Sequence, residues 1–397
     1  MMNERMLYRR FGRTELQMPV FSCGGMRYQF KWQDVPQEAV PLGNQNNLEA
    51  TIRRAVALGI NHIETARGYG SSEMQLGQIL PTFPREKLIV QTKVSPTPTP
   101  EAFRETFDQS LAYLKLDYVD LLGIHGINNE ALYDDTFKTN GCLEVAQQLR
   151  AEGKVRFIGF STHGPTALIQ RAIATDAFDY INLHWYYIFQ NNWPAILDAQ
   201  RHDMGVFIIS PSDKGGKLYS PPQKLVDLCA PLSPMVFNDL FCLKHPQVHT
   251  LSVGAASPSD FDEHLKTFAL LDQADEVLAP ILERLEGEAI ATLGEDWYKT
   301  WHQGLPSHDV TPGGVNIPAI LWLWNLASAY DLEDYAKMRY NLLGNGGHWF
   351  AGQQATQLKT LDLQTSLAHS PNADQIPSIL QAAHDRRSEE RRVGKEC

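Results

Sequence analysis

Short apolar runs recur between residues 20 and 254, and polar or helically patterned stretches separate them. Eight of these runs are rich in β-branched and other apolar residues: 20–24, 61–65, 88–94, 119–125, 155–161, 180–185, 205–210 and 249–254. Unbroken apolar runs of this length are typical of strands that are buried on both faces. We therefore interpret them as eight strands of a parallel sheet.

The stretches between the runs carry apolar residues at steps of three and four. In segment 47–58 these residues are Leu48, Ile52 and Val56, and segments 101–114, 142–151 and 166–174 show a similar spacing. This spacing places one apolar face along each helix. Strand and helix alternating eight times predicts an α/β fold, the (β/α)8 TIM barrel.

The pattern changes at both ends of this region. Residues 8–19 predict a hairpin that covers the floor of the barrel. After residue 271 the strand-like runs stop, and helical patterns follow at 277–293, 317–330 and 333–343. We therefore expect a barrel domain at 1–271, a helical module at 272–355 and an extended or disordered tail at 356–397.

Composition narrows the classes of partner. The chain has 397 residues, a net charge of −11 and 43% hydrophobic residues. An acidic chain lacks the clustered basic surface that nucleic acid or anionic membrane requires. Its five cysteines form no CxxC pair, and its first residues contain no apolar run, so we expect a cytoplasmic protein without a signal peptide. The oligomeric state stays open.

Four reactive side chains follow successive predicted strands. Glu64 and Tyr69 follow the second strand, Lys93 closes the third and His125 closes the fourth. Because strand ends converge on one face of a barrel, these groups are expected to share one site. A phenol beside an ammonium predicts a proton donor, since the positive charge lowers the pKa of the phenol.

Residues 59–70, Gly-Ile-Asn-His-Ile-Glu-Thr-Ala-Arg-Gly-Tyr-Gly, together with Lys93 and His125, resemble the aldo/keto reductases. The resemblance covers residues 6–271. It implies that Tyr69 donates a proton and that Lys93 and His125 complete the catalytic set. Glu64 stands where the family usually has aspartate. The implied activity is reduction of a small aldehyde or ketone to an alcohol, with a hydride from a nicotinamide cofactor.

The same resemblance implies cofactor contacts in three further segments. Ser161, Thr162 and Asn182 correspond to residues that hold the nicotinamide carboxamide. The expected phosphate contacts are Ser210, Pro211, Ser212, Lys214, Gly215, Gly216 and Lys217 in one loop, and Gly254, Ala255, Ser257, Ser259, Asp260 and Glu263 in another. Ala256 and Asp260 lie where members that use NADP often carry Lys or Arg. The resemblance implies NADP(H), and these two residues leave NAD(H) as an alternative.

Residues 314–343 resemble the C-terminal module of a reductase subgroup with a ferredoxin-like [4Fe–4S] domain. No cysteine lies between Cys242 and Cys397. A cluster needs about four thiolates. We therefore expect a helical module without an iron–sulfur cluster.

Other interpretations of the same residues stay open. The fold also suits a non-catalytic regulator that binds a nicotinamide cofactor. His125, His163 and His184 follow strands and resemble the ligands of a metallohydrolase, although an expected His-x-His pair is missing. Trp185, Tyr186, Tyr187 and Trp193 either line the mouth of a substrate site or belong to the core.

Overall fold

Contacts within the chain divide it into two compact units. The first comprises Met1–Gly215 with Met235–Asp275, and the second Gly216–Pro234 with Glu276–Cys397. The computed structural model describes residues 6–345, 351–356 and 358–393. No feature of the sequence pattern indicated that segment 216–234 belongs with the C-terminal helices.

The first unit is built around a closed barrel of eight parallel strands. Their bounds are Phe21–Gly24 (β3), His62–Glu64 (β4), Ile89–Val94 (β5), Val119–His125 (β6), Val155–Ser161 (β7), Tyr180–Leu183 (β8), Gly205–Ile208 (β9) and Thr250–Val253 (β10). Each strand pairs with the next, and β10 pairs back with β3 to close the barrel. The predicted TIM barrel is confirmed, since all eight strands fall within the predicted runs.

A hairpin covers the floor of the barrel, as the sequence predicted. Its strands are Tyr8–Arg10 (β1) and Gln17–Pro19 (β2), which pair antiparallel. Between them Phe11 is fully buried and packs against Tyr180 at the start of β8. Met18 joins the same apolar cluster, which closes this end of the barrel and leaves the opposite end for a site.

The middle of the barrel interior is polar. His62 lies between Ser22 Oγ at 2.6 Å and Gln91 Oε1 at 3.1 Å, and Ser22 Oγ also lies 2.6 Å from Thr250 Oγ1. Burial lowers the pKa of His62 to about 3, so its imidazole is neutral at physiological pH. A buried polar layer is stable when its groups pair with one another, and these four do so except at the Gln91 amide nitrogen, which has no partner among the described residues.

The helices that surround the strands bury one apolar face each. Pro100–Leu114, for example, is capped by Thr99 and buries Phe103 and Phe107. The helices between residues 42 and 265 are Leu42–Ala57, Ser72–Ile79, Pro100–Leu114, Glu130–Phe137, Cys142–Ala151, Thr166–Ala174, Trp193–Arg201, Gln223–Cys229, Pro234–Leu243 and Phe261–Leu265. The helix Gln223–Cys229 belongs to the second unit.

The second unit is helical. Its remaining helices are Ala274–Leu293, which starts in the first unit, Glu295–Thr300, Ile317–Tyr330, Glu333–Tyr340, Gln364–Leu367 and Ile376–Val393. The last of these lies where we expected an extended or disordered tail. It forms a helix because Ile376, Leu380 and Ala383 share one face and are buried. Within the described ranges, no single helix is long and apolar enough to cross a bilayer; Gln223–Cys229 and Pro234–Leu243 reach that length and composition only as a bent pair.

Candidate active site

Three neighbouring strands bring an acid, an amine and an imidazole together at the open end of the barrel. Glu64 ends β4, Lys93 lies one residue before the end of β5, and His125 ends β6. Lys93 Nζ directly contacts Glu64 Oε1 and donates a hydrogen bond to the Thr65 carbonyl at 2.8 Å. The extra methylene of Glu64, relative to aspartate, therefore does not prevent the pairing.

Tyr69 completes the cluster from the turn that follows β4. Its hydroxyl donates to Glu64 Oε1 at 3.4 Å, and Lys93 Nζ lies 4.8 Å from the centroid of its ring. The rings of Tyr69 and His125 meet edge to face, with centroids 5.8 Å apart. The structure thus brings all four predicted catalytic side chains together, with Glu64 and Lys93 buried and Tyr69 and His125 half-buried.

Burial dominates the protonation of this group. It raises the pKa of Tyr69 and lowers the pKa of Lys93 well below its ordinary value. It also lowers the pKa of His125 to about 3, with further lowering from the charges of Lys93 and Lys214. The expectation that Lys93 lowers the pKa of Tyr69 is therefore wrong for this structure, because desolvation of the phenolate outweighs that attraction. The site holds a neutral phenol beside a neutral imidazole.

The turn that carries Tyr69 is fixed by an arginine that sequence reasoning missed. The Arg67 amide donates to the Lys93 carbonyl at 2.9 Å. Its guanidinium pairs with the buried Glu73 at 3.1 Å and with Asp34 of the loop that follows β3. Glu73 in turn accepts a 2.5 Å hydrogen bond from Thr92, the neighbour of Lys93. Arg67 therefore ties the turn to the strand that carries the lysine.

The loop after β3, residues 25–41, is clamped onto the same turn. The buried Ser71 hydroxyl accepts hydrogen bonds from the amides of Phe30 and Lys31 at 3.2 and 3.1 Å. The Ser71 amide returns a hydrogen bond to the Lys31 carbonyl at 3.0 Å. Gly70 has φ +54°, and a Cβ there would lie 2.1 Å from that carbonyl, so only glycine fits. This clamp holds Trp32 against Tyr69, with ring centroids 6.2 Å apart.

Two residues predicted to hold a carboxamide lie side by side where β7 meets β8. Ser161 pairs with Asn182 in the sheet. Both side-chain amide atoms of Asn182 are buried and have no hydrogen-bond partner among the described residues. Ser161 Oγ accepts from the Gly126 amide at 3.1 Å, whereas the Thr162 hydroxyl donates to the Ile127 carbonyl at 2.7 Å. Asn182 is thus a buried amide with an open donor and an open acceptor.

Comparison with known proteins identifies the barrel. Residues 23–210 match the family model of the aldo/keto reductases. This part of the chain, just under half of its length, is similar to the aldo/keto reductase family. The chain is 37% identical to L-galactose dehydrogenase of Arabidopsis thaliana over 31% of its own length and 42% of that protein. It is 33% identical to NADH-specific methylglyoxal reductase of Escherichia coli K12, over 28% of its length and 39% of that protein. The matches thus span less than half of these relatives.

Solved structures agree on the fold. An aldo-keto reductase from Klebsiella pneumoniae in complex with NADPH matches with a TM-score of 0.53 and 19% identity. The match covers 69% of this chain and 96% of that one. Identity at this level shows a shared barrel and no more.

The loop after β9 contains several predicted phosphate contacts. Ser210, Pro211, Ser212, Lys214 and Gly215 lie in the first unit, whereas Gly216 and Lys217 belong to the second. Lys214 Nζ lies 3.3 Å from His184 Nε2. A Cβ on Gly215 would lie 2.0 Å from the Pro211 carbonyl, so the tight loop requires glycine there. Among the residues described, the buried Ser212 hydroxyl has no hydrogen-bond partner.

In the loop after β10, the acidic side chain of Asp260 is used within the loop itself, and a cation approaches it from another loop. Asp260 accepts 2.8 Å hydrogen bonds from the Ala256 amide and the Ser257 hydroxyl, so it stabilises its own turn. A cation that the sequence did not single out, Arg27, donates to the Gly254 carbonyl at 2.9 Å and lies 4.0 Å from Asp260. The other predicted contacts are engaged locally or buried: Ser257 with Ser259 at 3.2 Å, Glu263 with Lys266 at 2.5 Å, and Ala255 without exposure.

The candidate metal ligands form a different kind of cluster. His163 and His184 stack with ring centroids 4.6 Å apart and hydrogen-bond through Nδ1 and Nε2. His184 Nδ1 also bonds to the Tyr186 hydroxyl. In the described part of the chain, no three His, Cys, Asp or Glu residues are placed to hold a metal ion.

Of the aromatic residues after β8, Trp185 and Tyr186 belong to the core, whereas Tyr187 and Trp193 are partly exposed. Trp185 is 2% exposed and packs between Trp193 and Phe241, and Tyr186 is fully buried. Trp32 is an exposed aromatic residue beside the candidate catalytic group. The sequence analysis did not single it out, because it precedes the motif at residues 59–70. Its position after the carboxyl end of β3 is the sequence signal that could have identified it.

Proposed function

We propose that this protein reduces aldehydes or ketones to alcohols with a nicotinamide cofactor, and that Tyr69 supplies the proton. The observation that carries the proposal is the cluster of Glu64, Tyr69, Lys93 and His125 at the open end of the barrel, in which Glu64 and Lys93 are buried. Tyr69 is the acid of this group, and the basic and polar side chains around it are placed to assist proton transfer.

The residues present fit the cofactor. Asn182 offers one donor and one acceptor, both buried and without partners within the described ranges, which complement a carboxamide. We propose that Asn182 and Ser161 hold the nicotinamide, and that Lys214, Ser212 and the 254–260 turn hold the phosphates. The bound cofactor would supply the hydride.

The chain's own residues then manage the carbonyl oxygen and its proton. The neutral imidazole of His125 donates an N–H hydrogen bond that orients the oxygen. The Tyr69 O–H bond breaks as the new O–H bond of the alcohol forms, which leaves a phenolate. Lys93, 4.8 Å from the centroid of the Tyr69 ring, stabilises that phenolate, and Glu64 keeps the amine in place. In this scheme the raised pKa of Tyr69 keeps the proton on the phenol until the carbonyl arrives.

Two finer proposals concern the cofactor and the second unit. We propose NADP(H) with weak discrimination against NAD(H). Arg27 supplies a cation near the 254–260 turn, whereas the methylglyoxal reductase relative is named for NADH. We also propose that the helical module descends from a ferredoxin-like domain and binds no cluster, because no cysteine lies between Cys242 and Cys397.

The test combines binding and turnover. NADPH and NADH are titrated by fluorescence, and aldehydes and ketones are then screened with the tighter cofactor. Tyr69→Phe should lower kcat by about 10²–10⁴-fold, the usual cost of losing a general acid, with the cofactor Kd nearly unchanged. A variant that retains more than a tenth of kcat contradicts the assignment. Cofactor binding without turnover of any carbonyl supports the alternative, a non-catalytic regulator.

A further inference from the structure

The side chain of Lys93 crosses a glycine of the neighbouring strand on its way to the candidate catalytic group. Gly123 on β6 is the sheet partner of Lys93 on β5. A Cβ on Gly123 would lie 2.8 Å from Lys93 Cγ and 3.4 Å from Lys93 Cδ. Carbon atoms that are not bonded to each other pack best at about 3.5–4.0 Å. The stem of the lysine therefore occupies the space that a side chain at position 123 would fill.

The backbone itself does not require glycine at position 123. The φ of Gly123 lies outside the left-handed region, and the residue is in the interior of a seven-residue strand. Glycine weakens a strand interior, and it commonly marks a place where another group approaches closely. The group that approaches here is the stem of Lys93.

Tyr180 also borders this space and limits how the lysine can move. Its hydroxyl would lie 3.4 Å from the same Cβ, and its ring covers Gly159, where a Cβ would lie 2.5 Å from two ring carbons. Tyr180 and Lys93 are both buried. The overlap falls at Cγ, near the root of the lysine side chain. It can be relieved by rotation about the Cα–Cβ bond of Lys93 or by a shift of the strand, and either change moves the amine.

We infer that Gly123 is a positioning residue of the proposed reaction and acts through Lys93. Because position 123 has no side chain, the amine of Lys93 reaches Glu64 and the ring of Tyr69. This inference rests on the proposed function, in which the amine stabilises the Tyr69 phenolate. Displacement of the amine would weaken that stabilisation and leave the cofactor contact at Asn182 in place. The loss should therefore appear in kcat rather than in the cofactor Kd.

The experiment is a double-mutant cycle in the complete protein, with the wild type, Gly123→Ala, Lys93→Ala and the double variant. The measured quantities are kcat for an aldehyde that the wild type reduces and the Kd of the tighter nicotinamide cofactor. Gly123→Ala should lower kcat about 10²-fold, the usual effect of a displacement of about 1 Å at an active site, with Kd nearly unchanged. In the Lys93→Ala background the same substitution should change kcat less than about twofold, because no stem remains to be displaced.

Gly43→Ala is the matched control, since a Cβ on Gly43 would meet no atom within 4 Å. It should keep the wild-type kcat. The inference is overturned, and the proposed function stands, if Gly123→Ala keeps kcat within about twofold of the wild type or loses as much in the Lys93→Ala background. If Gly123→Ala alone does not fold, the double variant decides: cooperative unfolding restored by removal of the lysine stem supports the inference, and continued failure to fold overturns it.

Urea unfolding separates this inference from the proposed function, because it requires no turnover. Gly123→Ala should lower the urea midpoint of the wild type and leave the midpoint of Lys93→Ala unchanged. If the wild type reduces no carbonyl, the proposed function fails. Midpoints that are coupled in this way would then still assign the placement of Lys93 to Gly123, whereas equal shifts in both backgrounds would overturn it.

Discussion

Removing Glu64 should leave a buried lysine without its carboxylate. Lys93 and Glu64 are both almost fully buried, and the amine retains only the Thr65 carbonyl when the carboxylate is gone. A buried charge that loses its partner typically costs about 3–5 kcal/mol. The variant can avoid that cost by releasing the lysine proton. From an ordinary pKa of about 10.4, release at pH 7 costs about 3.4 units, or about 4.6 kcal/mol.

The two routes give the same size of effect, so Glu64→Ala should lose about 3–5 kcal/mol of unfolding free energy at pH 7. Release of the lysine proton also determines how the unfolding free energy of Glu64→Ala depends on pH. The folded variant holds a neutral Lys93, whereas the unfolded chain binds a proton there up to pH about 10.4, so stability rises with pH. In the wild type Glu64 helps Lys93 to keep its proton, so wild-type stability should rise less with pH than that of the variant. The deficit should therefore shrink between pH 7 and pH 9, by at most about 2.7 kcal/mol.

Urea unfolding at both pH values measures these quantities. Glu64→Asp should keep most of the stability and activity, because the carboxylate remains. Glu15→Ala is the surface control, since Glu15 pairs with Arg10 in solvent and exposed pairs of this kind stabilise the fold little. A Glu64→Ala deficit below about 1 kcal/mol at pH 7, or one of equal size at pH 9, would refute this account of the pair.

Three further predictions concern pH, the cofactor and the second unit. His62 and His125 have folded pKa values of about 3. The unfolded state therefore binds more protons than the folded state below pH about 6.5. The free energy of unfolding should decrease as the pH is lowered below that value, by about 1.4 kcal/mol per pH unit for each histidine. Urea unfolding of His62→Asn should show a shallower decrease. Asp260→Arg should increase the preference for NADPH over NADH in fluorescence titrations, and an unchanged ratio would mean that Asp260 does not face the adenosine phosphate. Protein purified without oxygen should contain no stoichiometric iron and sulfide; finding both would contradict a module without a cluster.

The barrel could be predicted closely because its strands are buried on both faces. Val119–His125 and Val155–Ser161 match the predicted bounds, since apolar runs end where the chain leaves the interior. The catalytic group followed from the same logic, because strand ends converge. Tyr69 was included because it follows the second predicted strand closely, and the family resemblance then implied its role as the proton donor.

The loops carried less information. Arg27 and Trp32 lie in residues 25–41, where no periodicity predicts which contacts form. Trp185 and Tyr186 looked suited to a substrate mouth, yet they pack inward because Phe241 and Ile209 offer partners that lie far away in sequence. The sign of the pKa shift at Tyr69 could not be predicted either, since it depends on burial rather than on the presence of Lys93.

The Ser71 hydroxyl has a consequence for how the protein can evolve. One oxygen holds both the loop of Trp32 and the turn of Tyr69. A substitution that loosens this anchor would displace both segments at once. Gly70 and Ser71 should therefore tolerate substitution less well than Trp32, which is exposed.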